Sequence, residues 1–444
     1  MCSTSPGNAD TPSLSLLTVN KLQNAAVATS GSTKEFWPTT ENRRTSTHSA
    51  MIHPKTIIFL GDGMADEPLA ELDGMTPLQR ANTPGMDSIA RDGRAGTLLT
   101  LPDEFPTGSE VANMSILGCD LPSEYCGRGP LEAAGAGITL SPEDIAFRLN
   151  LVTIEDGILK DYSGGHPSAA LADDAVAAMN RSFGNEAIRF CPGVSYRTLL
   201  LLSGAGFSTM VATEKPDDHH GDHIDDILPV ATEAQAAATV EFLRRLIREA
   251  PEVLRELPSD TLSGVWPWSG GRSGSLKQLS QKYGITGAVI SAVDVIVGLG
   301  KCLGMHHIPV AGATGYVDTN YEGKADAAVS ALESHDLVYL HVEAIDEVSH
   351  AQDLNLKIKT IEQFDSRIIQ RVLAAVDSKV NVAVLPDHPV PVSLGKHTRT
   401  AVPVAVRMNG CPPDSVQSYH ESACESGELG HMKGDDLMRL LFPH

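Results

Sequence analysis

Three apolar runs in this chain end in side chains that bind cations. TIIFLGDG (56–63) closes on Asp62; DLVYLHVEA (336–344) runs on through IDEVSH to Asp346 and His350; NVAVLPD (381–387) exits at Asp387 and His388, with His397 a few residues beyond. Runs of four to eight β-branched and aliphatic residues that lack polar alternation read as strands buried on both faces, which is the signature of a parallel sheet covered by helices. In open α/β sheets, ligands gather at the carboxyl ends of the strands, so these acids and imidazoles are expected to share one crevice. Asp346 and His350 are four apart, so one helical turn aims both at the same point.

The fold class that follows is α/β, a doubly wound and mostly parallel sheet, interrupted by a smaller α/β domain. GAVIS (287–291), VPVAVRM (402–408) and a long helix from about 353 to 376 continue the strand-and-helix alternation. Between about 124 and 275 the texture changes to glycine-rich and polar loops (CGRGPLEAAGAG, DYSGGH, KPDDHHGDH) around an amphipathic helix at 232–250. The expected division is an N-terminal extension at 1–50, the first part of the site-bearing domain at 51–123, an inserted domain at 124–275 and the second part at 276–444. At 444 residues the chain is too long for one core. Residues 1–50 are rich in Ser, Thr and Asn and are expected to be disordered.

Charge and cysteine usage exclude several classes. A formal net charge of -22 argues against nucleic-acid or anionic-membrane surfaces, so any phosphate site must be a local basic pocket. No apolar run is long enough to span a bilayer. The 7 cysteines form no CxxC pair, which fits a reducing cytosol better than a disulfide framework.

FPTGSEVANMSILG (105–118) sets Ser109 after a Pro-Thr-Gly turn at the start of a short helical pattern. A serine there commonly caps its helix. Beside six metal-type side chains it is instead a candidate nucleophile, because two cations about 4 Å apart can clamp the attacking and leaving oxygens of a phosphoryl displacement. Farther back, TPGMDSIARDG (83–93) reads as a helix with Thr83 as N-cap and Pro84 at its first position.

GDGM (61–64), TGSEVANMSILG (107–118), GRGPLEAAGAGI (127–138), EAIDEVSH (343–350), PDHPVP (386–391) and KHT (396–398) resemble the cofactor-independent phosphoglycerate mutases of archaeal type, within the alkaline phosphatase superfamily. The likeness extends from about Thr56 to the end, including FRLNLVT, GVSYRTLLLL, ITGAVISAVDVIVGLG and GATGYVDTNYEGKA. It implies an alkaline phosphatase-like fold and two divalent cations, Mn2+ first, with Zn2+, Mg2+ or Co2+ as substitutes. One cation falls to Asp346, His350 and His397, and the other to Asp62, Ser109, Asp387 and His388. It implies a soluble cytoplasmic isomerase that exchanges a phosphoryl group between 3- and 2-phosphoglycerate through phosphoserine at Ser109, without 2,3-bisphosphoglycerate. A phosphohydrolase or another phosphomutase built on the same site is the alternative.

The inserted domain would then serve as a lid, with His166, Arg128, Arg148, Arg197 and Arg272 gripping the small-molecule substrate. His166 resembles the family's phosphate-approaching histidine, and Lys301 lies near the region of an assisting lysine. This chain departs from the family's text at Ile345 and Ser349, where proline and glycine are usual, and at Ser269, where glycine is typical. It departs again at Pro216-Asp217-Asp218, where Pro-His-Asp is expected.

Overall fold

The apolar runs do become the middle of a sheet. In the computed structural model, which describes residues 53–274 and 276–443, eight strands lie side by side in the order His306–His307, Gly287–Ile290, Leu337–Val342, Thr56–Gly61, Asn381–Leu385, Val402–Arg407, Arg94–Leu99 and Gly430–Lys433. Only Val402–Arg407 runs antiparallel to its neighbours. The rest are parallel, as runs buried on both faces require. The N-terminal extension expected at 1–50 lies outside the described residues.

Period-two alternation divides the core between the two faces. Leu337 and Tyr339 pack on the side of the helix Ser109–Ile116, while Val338, Leu340 and Val342 face the opposite layer with Phe364 and Ile368. The helix expected at about 353 to 376 is a continuous helical stretch, Leu354–Ala375, that widens to π-type winding at Phe364–Ile369.

Asp365, in that widened turn, accepts from the backbone N–H groups of Met86 at 2.7 Å and Gly85 at 3.1 Å. It thereby caps the helix Pro84–Arg91. Thr83 occupies the N-cap position as expected, but its side chain makes no capping bond there. A carboxylate is the stronger partner for those free donors.

A second sheet is built within 145–272 and is wholly antiparallel. Ile145–Glu155 pairs with Arg197–Leu202 on one edge and with Gly264–Arg272 and Ile158–Asp161 on the other, and Ile188–Cys191 extends it. Helices Ala169–Phe183 and Ala237–Leu254 cover one face over Phe147, Leu149 and Leu151. The amphipathic helix expected at 232–250 thus begins later and runs through Pro251.

On the opposite face lies the helix Arg128–Gly135, which also packs against Asp294–Cys302 beside the large sheet. That packing depends on missing side chains. A Cβ on Gly298 would strike the Leu131 carbonyl, and one on Gly135 would strike the Asp294 carbonyl.

Candidate active site

The site is assembled at the carboxyl end of the large sheet. Asp62 follows the strand Thr56–Gly61, and Asp387 and His388 follow Asn381–Leu385. The helix Ala344–His350, two residues beyond Leu337–Val342, presents Asp346 and His350 one turn apart. The loop that carries His397 is held from below by a buried ion pair. Lys357 Nζ sits 2.7 Å from Asp66 Oδ2 and donates to the Val390 carbonyl at 2.9 Å, and Asp66 also accepts from Val392 N at 3.0 Å.

All seven predicted cation-binding side chains converge. Ser109 occupies the first turn of its helix but does not cap it; its Oγ lies 3.2 Å from His388 Nε2. His388 Nε2 is 3.3 Å from Asp387 Oδ2 and 3.5 Å from Asp62 Oδ1. Asp346 Oδ1 is 3.4 Å from His397 Nε2, and its Oδ2 is 3.3 Å from His350 Nε2. The rings of His388 and His397 stack with centroids 3.7 Å apart and join the two sets.

Backbone groups fix the orientations. Asp387 Oδ1 accepts from Gly63 N at 3.1 Å and His388 N at 2.8 Å, while Asn113 Nδ2 reaches Asp387 Oδ2 at 3.0 Å. His350 Nδ1 and His397 Nδ1 lie 2.9 Å and 3.1 Å from the carbonyls of Gly395 and Thr107. With both Nδ1 positions engaged in this way, each Nε2 points into the cluster. Gly63 must be glycine. Its φ is 65°, and a Cβ there would come within 2.7 Å of the Asp346 backbone.

The electrostatics of the bare cluster show why it suits cations. Burial, reinforced by the charge of Asp387, pushes the Asp62 carboxyl well above its usual range. Burial lifts Asp387 to about 7 and Glu343 to about 7 as well. Burial also opposes ionisation of Asp346, but the imidazoles of His350 and His397 outweigh it and hold that carboxyl well below its usual range. His350 rises to about 9 against its own burial because Asp346 faces it. Asp62 Oδ1 and Asp346 Oδ1 are buried without a hydrogen-bond partner, a costly arrangement in a dry interior. Three groups have donor atoms close enough to surround an ion: Asp346 with His388 and His397, Asp62 with Asp387 and His388, and Asp62 with His341 and Glu343.

The third group was missed by sequence reasoning. His341 shares a strand face with Tyr339 and so points toward Asp62 rather than into the opposite layer. Alternation along LVYLHV was the signal that could have found it.

A cavity of about 780 Å3 opens beside the cluster, between the large sheet and the second one. Arg128, Lys215, Arg272, Arg399 and His397 stand on its wall, together with the acidic Glu110, Glu214 and Asp218. Lys215, in a stretch read only as a polar loop, is a further functional candidate; its charge reaches both His350 and His388.

Of the five predicted substrate contacts, Arg128 and Arg272 line the cavity, and Arg148, Arg197 and His166 stand outside it. Arg148 is buried against Glu132, which also binds Arg128 Nε at 2.6 Å. Arg197 reaches Glu347, on the helix of Asp346 and His350, at 3.6 Å. His166 is exposed, packed edge-on against Tyr196 with centroids 5.4 Å apart. Lys301 donates to the carbonyls of Ala134 and Gly135, closing the end of the helix Arg128–Gly135.

Fold and site together define an α/β protein with candidate cation-binding groups at the carboxyl end of its large sheet, beside a cavity lined by charged side chains. The family described as 2,3-bisphosphoglycerate-independent phosphoglycerate mutase matches residues 90–260. Proteins of that name from Methanosarcina acetivorans and Methanothrix thermoacetophila are 43% and 42% identical, each over 87% of this chain and 99% of the relative. A solved protein of Pyrococcus horikoshii is similar at 27% identity with a TM-score of 0.74, covering 88% of this chain and 96% of that one. The cofactor-independent phosphoglycerate mutase of Thermoplasma acidophilum matches at 25% identity and a TM-score of 0.59, over 87% and 98%. The chain belongs to the 2,3-bisphosphoglycerate-independent phosphoglycerate mutase family, whose members are isomerases.

Proposed function

We propose that this chain interconverts 3-phosphoglycerate and 2-phosphoglycerate through a phosphoserine at Ser109, without 2,3-bisphosphoglycerate. The observation that carries the reading is the meeting of the Ser109 hydroxyl with His388, which itself contacts Asp387 and Asp62, beside a cavity that presents Arg128, Lys215, Arg272 and Arg399. Two divalent cations fit the donor set, because buried carboxylate oxygens of both Asp62 and Asp346 lack partners. Asp346, His350 and His397 would hold one; Asp62, Ser109, Asp387 and His388 the other. When bound, such cations neutralise charge on the transferring phosphoryl group and lower the pKa of a nearby hydroxyl.

The remaining steps belong to the chain. Ser109 Oγ gives up its proton and attacks phosphorus, its bond to phosphorus forms as the bond to the substrate's O3 breaks, and O3 leaves with that proton as the hydroxyl of glycerate. Arg128, Arg272, Lys215 and Arg399 counter the charge of phosphate and carboxylate while glycerate turns over. The 2-hydroxyl then attacks the phosphoserine, its bond to phosphorus forms as the bond to Ser109 Oγ breaks, and the proton it loses returns to the serine hydroxyl.

Segment 124–275 acts in this reading as a lid that keeps water from the phosphoserine. Mn2+ is the metal and the cytosol the location, in keeping with the resemblance and the cysteine pattern. Among the described residues, no helix is long and apolar enough to cross a membrane. Purified protein given 3-phosphoglycerate and Mn2+, with no 2,3-bisphosphoglycerate, tests the proposal. Formation of 2-phosphoglycerate supports it; release of free phosphate makes the chain a hydrolase, and absence of turnover defeats both readings.

A further inference from the structure

Beyond Asp62 Oδ2 stands a buried hydrogen-bond chain that the reaction above does not use. Ser291 Oγ accepts from the backbone N–H of Val293 at 3.1 Å and lies 3.2 Å from His341 Nδ1. The serine still has its own proton to give to Nδ1, and the carboxylate oxygen facing Nε2 calls for the ring proton on that side. His341 Nε2 is 2.9 Å from Asp62 Oδ2, so the imidazole donates to that oxygen. His341 is fully buried, and Lys324 Nζ grips its backbone carbonyl at 3.1 Å. Asp62 thus has one oxygen tied, while Oδ1 lies without a partner on the His388 side.

We infer that His341, set by Ser291, is a positioning residue that turns the Asp62 carboxylate so that one oxygen faces the cation shared with Asp387 and His388. The inference rests on the proposed role of Asp62. A carboxylate locked through its outer oxygen loses less orientational freedom on taking up a cation, and removing such a partner typically weakens metal affinity about 10- to 100-fold. Glu343 Oε2, 3.8 Å from His341 Nε2, offers a competing arrangement in which His341, Glu343 and Asp62 would themselves surround an ion. A ring that donates to Asp62 Oδ2 carries its proton on that nitrogen and does not ligate through it.

The test is equilibrium dialysis of the full chain against Mn2+, with bound metal counted by atomic absorption, for wild type, His341→Ala, His341→Gln and Ser291→Ala. Folding is checked by circular dichroism. Wild type is expected to bind two equivalents. His341→Ala should keep one at normal affinity and bind the other about 10- to 100-fold more weakly, and His341→Gln, whose amide can still donate, should recover most of that loss. Ser291→Ala should fall between His341→Ala and wild type.

Equal affinities in wild type and His341→Ala would overturn the inference. So would a third wild-type equivalent lost in His341→Ala, or failure of His341→Gln to improve on alanine. If wild type binds no Mn2+, the underlying two-cation reading fails with it, and the wild-type titration alone reveals that.

Discussion

Ser109 Oγ lies 3.2 Å from His388 Nε2, although 278 residues separate them in the chain, and the hydroxyl makes no capping bond to its own helix, whose N-cap is Gly108. A serine with only a capping role would bond the backbone of its own first turn. Ser109→Ala is therefore expected to fold normally and to keep most of its metal affinity through the six other donors, while losing mutase activity by at least about three orders of magnitude, as expected when a covalent route disappears. Steady-state rates and metal content, measured on the same preparation, check both halves.

Removing metal should destabilise the protein. Burial raises Asp62 and Asp387 in the bare cluster, helped by the charge of Asp387 at the first and of Asp346 at the second, and two carboxylate oxygens there make no hydrogen bond. Cations that bind only the folded chain stabilise it by about 2.7 kcal/mol per site at a concentration one hundred times the dissociation constant. Thermal unfolding with chelator is expected to begin several degrees below unfolding with excess Mn2+, and a midpoint indifferent to metal would contradict the assignment.

Glu132 accepts from both Arg128 and Arg148 in the layer between the sheets. Burial opposes its ionisation, but the two guanidiniums outweigh burial and lower its pKa from 4.5 to about 2. A folded-state value below the unfolded one gives stability that is fully present above pH 4.5 and is lost as pH falls toward 2. A shift of this size corresponds to about 3 kcal/mol. Glu132→Gln should remove that acid-side slope and cost about 3 to 5 kcal/mol near neutral pH, because Arg148 stays buried without its carboxylate, while Arg128 keeps Glu110. Denaturant unfolding across pH measures both.

Arg272 stands on the cavity wall, and its NH2 group donates to the Phe207 carbonyl at 2.9 Å. Its Nε is buried without a partner, so the side chain has a donor to spare. Losing a charge-assisted contact costs about 1.5 to 3 kcal/mol, so Arg272→Met is expected to lower kcat/KM for 3-phosphoglycerate about 10- to 100-fold while leaving Mn2+ affinity unchanged. Initial rates over a range of substrate, beside a metal titration, separate a substrate contact from a metal effect.

The cation-type residues were legible because strand ends are a topological address. Asp62, Asp346 and Asp387 each follow an apolar run, and parallel pairing of those runs brings their ends together whatever the intervening text. Side-chain direction was harder to read. Arg148 lies in a strand whose Phe147, Leu149 and Leu151 face two helices, so alternation turns Arg148 to the inner face, where its ion pair with Glu132, which no local pattern shows, holds it off the cavity wall.

His341 was passed over because a histidine inside LVYLHV reads as one more buried strand residue until its alternation with Tyr339 is followed. The capping of Pro84–Arg91 by Asp365 was not legible at all, since a partner 279 positions away leaves no local trace. Lys215 belongs to the same class: only the folded chain brings its loop to the cavity.

The central claim is covalent, and it is tested most directly by trapping the intermediate. Mn2+-loaded enzyme is mixed with 3-phosphoglycerate, quenched within one turnover, digested and analysed by mass spectrometry. The account predicts a phosphoryl group on the peptide that contains Ser109, formed and depleted at rates matching turnover and absent from Ser109→Ala. Formation of 2-phosphoglycerate by an enzyme whose Ser109 never carries phosphate would contradict it.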